Sequence, residues 1–378
     1  MKVAIIGMGN MGSKYAAMIG SGKIPNMTLV ATTRVKSHIL DKIKDSLPEN
    51  LEIVDSDVEL FRKYDEGELD FDTVIIVTPH YSHEETAINA FVRGLNVLCD
   101  KPAGVYSRQA RKMMEAYKEA TAKTPQLKYG FMFHQRTYPV YIKLKELINN
   151  KDYGKVKRVN WIVTDWYRSN AYYKSSPWRA TWSKDGGGTI LNQCPHNLDM
   201  IQWLFGNPDY VVAFCNEGKY HPIEVEDEAT VYMQWENGIT GVFVASTGEA
   251  AGVNRLEISM DNAMIICEDG RIVVRELDKP EIEYRNEASD CFSRPVTTIN
   301  EIVCEANDGA YEKMLANFAC DESLIADGAE GIKSMYLSNA IYLSSWTNNK
   351  RIKIPRNRAE EEVFEKAFEK MLKAKLRR

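Results

Sequence analysis

The chain has 378 residues, 44% of them hydrophobic and 27% charged, with 23 glycines and 13 prolines. This composition excludes a collagen, a mucin-like stalk or a disordered tail, and the length suggests two domains at roughly 100 to 200 residues each. Lysine and arginine total 48 against 53 aspartates and glutamates, a net charge of −5. No broad basic field is offered to nucleic acid or to an anionic membrane, so a small molecule or a protein is the partner to expect.

Seven cysteines (Cys99, Cys194, Cys215, Cys267, Cys291, Cys304 and Cys320) are scattered without a C-x-x-C pair. Their odd number fits reduced thiols rather than a disulfide framework. The strand-like Lys2 to Ile6 directly follows Met1, which leaves no room for a signal or transit peptide, and no apolar run nears the ~18 residues of a membrane span. A cytoplasmic protein is expected.

In chain order, Val3 to Ile6, Leu29 to Thr32, Val74 to Val77 and Asn96 to Cys99 read as short apolar strands. Helix-like stretches separate them: Met11 to Ile19, Ser37 to Ser46, Glu84 to Arg93 and Ser107 to Ala122. That alternation predicts a doubly wound α/β domain around a parallel sheet. After residue 130 a further helix, Tyr138 to Asn149, precedes strands of another kind. Thr230 to Trp235 and Ile239 to Ser246 flank a Glu236-Asn237-Gly238 turn, Arg255 to Met260 and Ala263 to Cys267 flank Asp261-Asn262, and Asp269-Gly270 leads into Arg271 to Glu276. These predict a largely antiparallel second sheet. Val363, Phe364, Phe368, Met371 and Leu372 recur at near-helical spacing within Ala359 to Arg378, an amphipathic helix packed on the body or on another subunit. The expected division is residues 1–130, 131–355 and 356–378.

Gly7-Met8-Gly9-Asn10-Met11-Gly12 follows the first strand and opens the first helix. In G-x-G-x-x-G the first glycine makes the turn, the second admits a pyrophosphate and the third packs helix on strand, with the helix N-terminus toward the anion. Roughly 20 residues on, where an acid would select NAD, the chain reads Thr33-Arg34-Val35-Lys36-Ser37, with no acid before Asp41. Arg34 and its neighbours suit a 2′-phosphate, which favours NADP(H) over NAD(H); the alternative is that Arg34 only stacks on adenine.

With Val77-Thr78-Pro79-His80-Tyr81-Ser82-His83, then Asp100-Lys101-Pro102, then Gly186-Gly187-Gly188 leading to Asn192-Gln193-Cys194-Pro195-His196-Asn197-Leu198-Asp199, the sequence resembles the glucose-fructose oxidoreductase, inositol dehydrogenase and rhizopine-catabolism (Gfo/Idh/MocA) family along nearly its whole length. The resemblance implies a Rossmann domain, then an α/β domain with a large open sheet, with the active site in the cleft between them. It also implies hydride transfer between a nicotinamide and a secondary alcohol carbon of a sugar, polyol or glycoside, with Lys101 and His196 as the active-site pair. Asn192 stands where the family usually has aspartate, and Asp100 where glutamate is common. Thr78, Pro79, His83, Asp100 and Lys101 join the glycine loop as cofactor-side residues.

Chemically, alcohol oxidation needs a base at the hydroxyl while the C–H bond meets the nicotinamide. An imidazole titrating near ~6.5 can serve, and a lysine ammonium can stabilise alkoxide character. For the substrate, Trp178 and Arg179 in Ser176-Pro177-Trp178-Arg179 are the candidates from a stretch rich in tryptophan and tyrosine, with His134 as a further candidate beside Lys101, Asn192 and His196. No metal is expected, His80-x-x-His83 lacking a second ligand cluster. The acidic run Glu224 to Glu228 reads as a solvated turn. A redox-neutral enzyme that retains its nicotinamide, for oxidative glycoside cleavage or epimerisation, is the alternative that Asn192 keeps open. A non-catalytic nucleotide sensor is a third reading. The extensive second sheet and the resemblance suggest a homodimer or homotetramer paired through a sheet face.

Overall fold

The computed structural model describes residues 1–320 and 322–377. The chain forms two compact units, one of residues 1–137, 183–186 and 309–336, the other of residues 138–182, 187–308 and 337–378.

The first unit is built on strands β1 (Lys2–Ile6), β2 (Thr28–Thr33), β3 (Glu52–Val54), β4 (Thr73–Ile76), β5 (Asn96–Cys99) and β6 (Tyr129–Phe131). They form one parallel sheet in the order β3-β2-β1-β4-β5-β6. Between them run helices α1 (Asn10–Gly20), α2 (Ser37–Ile43), α3 (Asp57–Asp65), α4 (His83–Val92) and α5 (Ser107–Thr121). Such a sheet is covered on both faces, so its strands are unbroken apolar runs: Val3, Ala4, Ile5, Val74, Ile75, Ile76, Val97 and Leu98 are all buried. This is the predicted doubly wound fold, with strand order reversing at β1 and β4, where open α/β sheets bind ligands beyond the strands' carboxyl ends.

The second unit carries helix α6 (Pro139–Ile148), β7 (Val156–Val163), helices α7 (Asn170–Lys174) and α8 (Pro195–Phe205), and strands β8 (Tyr210–Glu217), β9 (Glu226–Gln234), β10 (Thr240–Ser246), β11 (Asn254–Met260), β12 (Ala263–Glu268), β13 (Arg271–Leu277), β14 (Thr297–Val303) and β15 (Ile352–Lys353). The nine strands form a sheet ordered β14-β13-β12-β11-β7-β10-β9-β8-β15. Only β7 with β10 is parallel. Side chains alternate: Val159, Trp161, Val231, Met233, Phe243, Ile258 and Ile265 face a buried core.

The boundary expected at residue 130 and the continuous second domain need correction. Phe131 N–H donates to the Ala326 carbonyl at 3.0 Å and Gly130 bridges to Asp327, so residues 309–336 complete the first unit behind its edge strand. The terminal helix, Arg358–Lys375, is not a separate piece either. It buries Phe364, Phe368 and Leu372 within the second unit, with Phe368 5.3 Å from the Trp346 ring. None of the seven cysteines forms a disulfide.

Candidate active site

The glycine loop follows β1. Gly7 has φ +102°, and a Cβ there would lie 2.4 Å from the Val77 carbonyl oxygen, so no other residue fits the turn. Over Gly9, by contrast, a Cβ would meet nothing within 4 Å. Gly9 is also the N-cap of α1 and offers no side chain to the helix's first N–H groups. Open space before an uncapped helix N-terminus is a cradle suited to a pyrophosphate. Thr78 Oγ1, beyond β4, is buried with no hydrogen-bond partner among the described residues, a second atom suited to a bound group. The first unit's residues therefore fit a dinucleotide.

At the end of β2, Thr33 Oγ1 accepts from Gly7 N–H at 3.0 Å. Arg34 reaches Asp55, just past β3, at 3.1 Å, with both side chains about three-quarters exposed. Asp55 is a partner of Arg34 that the sequence reading missed, because its proximity comes from β2–β3 pairing and not from spacing.

The carboxyl ends of β4 and β5 are joined by one histidine. His83 is buried, with Nδ1 2.9 Å from the Pro102 carbonyl and Nε2 2.8 Å from the Thr78 carbonyl. His80 Nδ1 donates to the Asp185 carbonyl at 2.8 Å, with the Asp185 carboxylate 3.6 Å away. Asp100 Oδ1 accepts from Lys101 N–H at 2.7 Å and Oδ2 from the Tyr15 hydroxyl at 3.2 Å. Removal from water pushes the Asp100 carboxyl above its ordinary value, against the pull of Lys101. His134 is buried, its ring 4.2 Å from that of Tyr311. Burial first, then the Lys101 and Lys14 ammoniums, lower its imidazole to about 4, so at neutral pH it is an uncharged hydrogen-bonding group and not an acid.

In the second unit, Asn192 lies on a π-helical turn, Thr189–Gln193, its N–H donating to the Gly188 carbonyl at 2.9 Å. This turn runs into α8, with Pro195 at its first position and His196 buried beside it. Glu226 holds the turn: Gly188 N–H donates to its carboxylate at 3.1 Å, Ile190 N–H at 2.8 Å and the Tyr342 hydroxyl at 2.7 Å. A Cβ on Gly188 would sit 2.0 Å from the Glu226 carbonyl oxygen. The acidic run read as a solvated turn is thus corrected, since Glu226 and Asp227 are fully buried. Asp227 accepts from the N–H groups of Lys219, Tyr220 and His221 at 2.9, 2.7 and 2.8 Å. The Gly188 and Ile190 N–H groups explain the burial: they need an acceptor, and β9 brings one from 38 residues beyond Gly188. Burial, opposed by those hydrogen bonds, raises the Glu226 carboxyl to about 7.

Trp178 and Arg179 are brought together with a residue not singled out, Tyr172. The Arg179 guanidinium lies 4.5 Å from the Trp178 ring and 4.4 Å from the Tyr172 ring, and its Nη1 donates to the Tyr172 hydroxyl at 2.7 Å.

A parallel dinucleotide-type unit followed by a glycine-cornered α/β unit defines a nicotinamide-nucleotide oxidoreductase fold. Residues 1–125 match the model described as the oxidoreductase family, NAD-binding Rossmann fold, and residues 141–266 match the GFO/IDH/MocA C-terminal domain. The chain belongs to the GFO/IDH/MocA oxidoreductase family. It is 28% identical over 168 residues to Oxidoreductase P35 of Formosa agariphila, covering 44% of this chain and 50% of that one. To the levoglucosan dehydrogenase of Pseudarthrobacter phenanthrenivorans it is 25% identical over 210 residues, 49% of this chain and 51% of the relative. The chain thus spans about half the length of these curated relatives. Among solved structures it is similar to the WlbA dehydrogenase of Chromobacterium violaceum in complex with NADH and UDP-GlcNAcA, with a TM-score of 0.76, 23% identity and coverage of 95% of this chain and 97% of that one. At that identity the likeness concerns the fold.

Proposed function

We propose that the protein is an NAD(P)-dependent oxidoreductase acting on a secondary alcohol carbon of a sugar, polyol or glycoside. The observation that carries the reading is Lys101 directly after β5, beside Asp100, in a family chain that also keeps His196 at the start of α8. Bound NAD(P) supplies a two-electron acceptor or donor for the hydride. His196 takes the hydroxyl proton as the C–O bond becomes C=O, and the Lys101 ammonium stabilises the negative charge on that oxygen. Asn192 offers hydrogen bonds without charge where a carboxylate is usual. His134, neutral at working pH and close enough to Lys101 to feel its charge, takes no part in the charge change.

The finer readings rest on particular residues. NADP(H) is the preferred cofactor because Arg34, Lys36 and Ser37 follow β2. The chain pairs with a second copy, as homodimer or homotetramer, through the uncovered face of the nine-stranded sheet, where Phe214, Tyr232 and Ile162 are 52%, 43% and 40% exposed. Light scattering that returned a monomer would remove this. No helix among the described residues is long and apolar enough to cross a membrane, and seven free thiols suit the cytoplasm.

The test needs no guess about substrate. The purified protein is denatured and any released nucleotide identified by mass spectrometry, then NADH and NADPH binding is measured on protein freed of it. Stoichiometric nucleotide supports the retained-cofactor, redox-neutral cycle, whereas an empty protein that binds added nucleotide supports an ordinary dehydrogenase. Protein that binds neither overturns the reading.

A further inference from the structure

Arg168 and Arg179, both half-buried in the second unit, share one aromatic ring. The Tyr172 ring centroid lies 4.9 Å from the Arg168 guanidinium carbon and 4.4 Å from that of Arg179, with Trp166 and Trp178 stacked at 5.2 and 4.5 Å from the respective guanidiniums. Every polar partner of this pair is neutral. Arg168 donates from Nε and Nη2 to Gln193 Oε1 at 3.1 and 2.8 Å, and from Nη1 to the Tyr167 carbonyl at 3.0 Å. Arg179 donates to the Ser175 hydroxyl at 3.2 Å and the Tyr172 hydroxyl at 2.7 Å. Among the described residues no carboxylate comes within 4.0 Å of either guanidinium.

The nearby acids are occupied elsewhere. Asp227 is saturated by three backbone N–H groups and His221 Nδ1. Asp165 is pushed up by burial, an effect to which Arg168 is the weakest counterweight. Two cations therefore flank one phenol ring with no counter-ion, and each guanidinium retains uncommitted N–H donors out of its five. Their positions are already fixed by stacking, by the Gln193 fork and by His221, whose Nε2 lies 2.8 Å from the Arg168 carbonyl, so little order is lost when a ligand binds. The Tyr172 oxygen accepts from both Arg179 and Gln193, the latter at 2.8 Å, which leaves its own hydrogen to donate outward. Arg168 meets Gln193 directly and Arg179 is joined to it through the Tyr172 hydroxyl; Gln193 stands one residue after Asn192 and three before His196.

We infer that the substrate carries a negatively charged group, a carboxylate or a phosphate, which Arg168 and Arg179 bind while the sugar carbon is presented to His196. A neutral sugar would leave both charges uncompensated, whereas an anion takes charge-assisted, bidentate hydrogen bonds from them. The inference rests on the reading of this chain as a sugar oxidoreductase and names the class of sugar.

Calorimetric titration of the NAD⁺-loaded protein with D-glucuronate, with D-glucose 1-phosphate and with neutral D-glucose tests it, the first two separating a carboxylate from a phosphate source. Expected is at least roughly tenfold tighter binding of one charged probe than of glucose. That gap closes in the Arg168→Gln/Arg179→Gln double variant and shrinks as salt is raised in the wild type. NADH binding is followed in parallel; its loss in the wild type would strike the oxidoreductase reading and not this one. Equal binding of the charged and neutral probes, absence of binding by all three, or a gap that survives in the double variant overturns the inference. If the double variant does not fold, an affinity indifferent to salt does the same.

Discussion

The carbonyl of Pro102 lies 2.9 Å from Nδ1 of His83, and the carbonyl of Thr78 lies 2.8 Å from the other ring nitrogen. One side chain thus ties the turn after β4 to the residue that follows Lys101. Carbonyls only accept, so both contacts, with Asp100, favour the charged imidazolium. Burial opposes them more strongly and, with Lys101, sets the imidazole below its usual 6.5. The unfolded chain then binds a proton that the folded chain refuses, and stability falls as pH drops below 6.5. His83→Leu is expected to cost about 1–3 kcal/mol in urea unfolding at pH 7.5 and to flatten that acid-side loss. Turnover should fall more than nucleotide affinity, because the tether ends beside Lys101.

Glu226 has the opposite sign. Its carboxyl rises from 4.5 to about 7 on folding, so the folded chain holds a proton that the unfolded chain has released between those values. Stability from this group is complete below pH 4.5 and is lost as pH rises to 7, by about 3 kcal/mol at most. Glu226→Gln keeps one acceptor for the Gly188 and Ile190 N–H groups and removes the titration. Chemical denaturation at pH 5 and pH 7.5 should show wild type losing stability relative to the variant at the higher pH; parallel losses would mean that another group carries the dependence.

Asn192→Asp places a carboxylate four residues before His196. A negative charge there favours the imidazolium, which moves the acid limb of the kcat/KM profile to higher pH by roughly one unit. A limb that stays in place would show that this side chain does not tune the base.

Four of the first unit's six strands were legible because parallel strands buried on both faces are written as apolar runs, β5 at Asn96–Cys99 as observed. The three-residue strands β3 and β6, and helix α3 behind β3, were too short or too polar to stand out. Strands β7, β8 and β14 were not legible. Val156–Val163 has Lys157 and Arg158 both exposed in succession, and Thr297–Val303 is an edge strand exposed along most of its length, so neither shows a clean alternation. The long helix Gly328–Trp346, with its many small residues, gave no amphipathic stripe. At the site, the glycine triplet and His196 could be read from order along the chain. Glu226, Asp55, and the joining of Arg168 to Gln193 across 25 positions are products of tertiary contact, which no local spacing encodes.

Arg34 and Asp55 are where the proposed preference for NADP(H) is tested. Their pair is 3.1 Å long and largely exposed, and such surface pairs contribute little. A 2′-phosphate can therefore draw Arg34 from Asp55, though it must do so beside a carboxylate that repels it. Arg34→Gln is expected to weaken NADPH binding about tenfold with NADH little changed. Asp55→Asn should strengthen NADPH binding several-fold, and most at low salt, because an exposed charge is screened over about 10 Å at 0.1 M. Fluorescence titration of each variant with both nucleotides separates the alternatives. Equal losses for NADH and NADPH in Arg34→Gln would mean that the guanidinium stacks on adenine and reads no phosphate. In that case the preference for NADP(H) would fall.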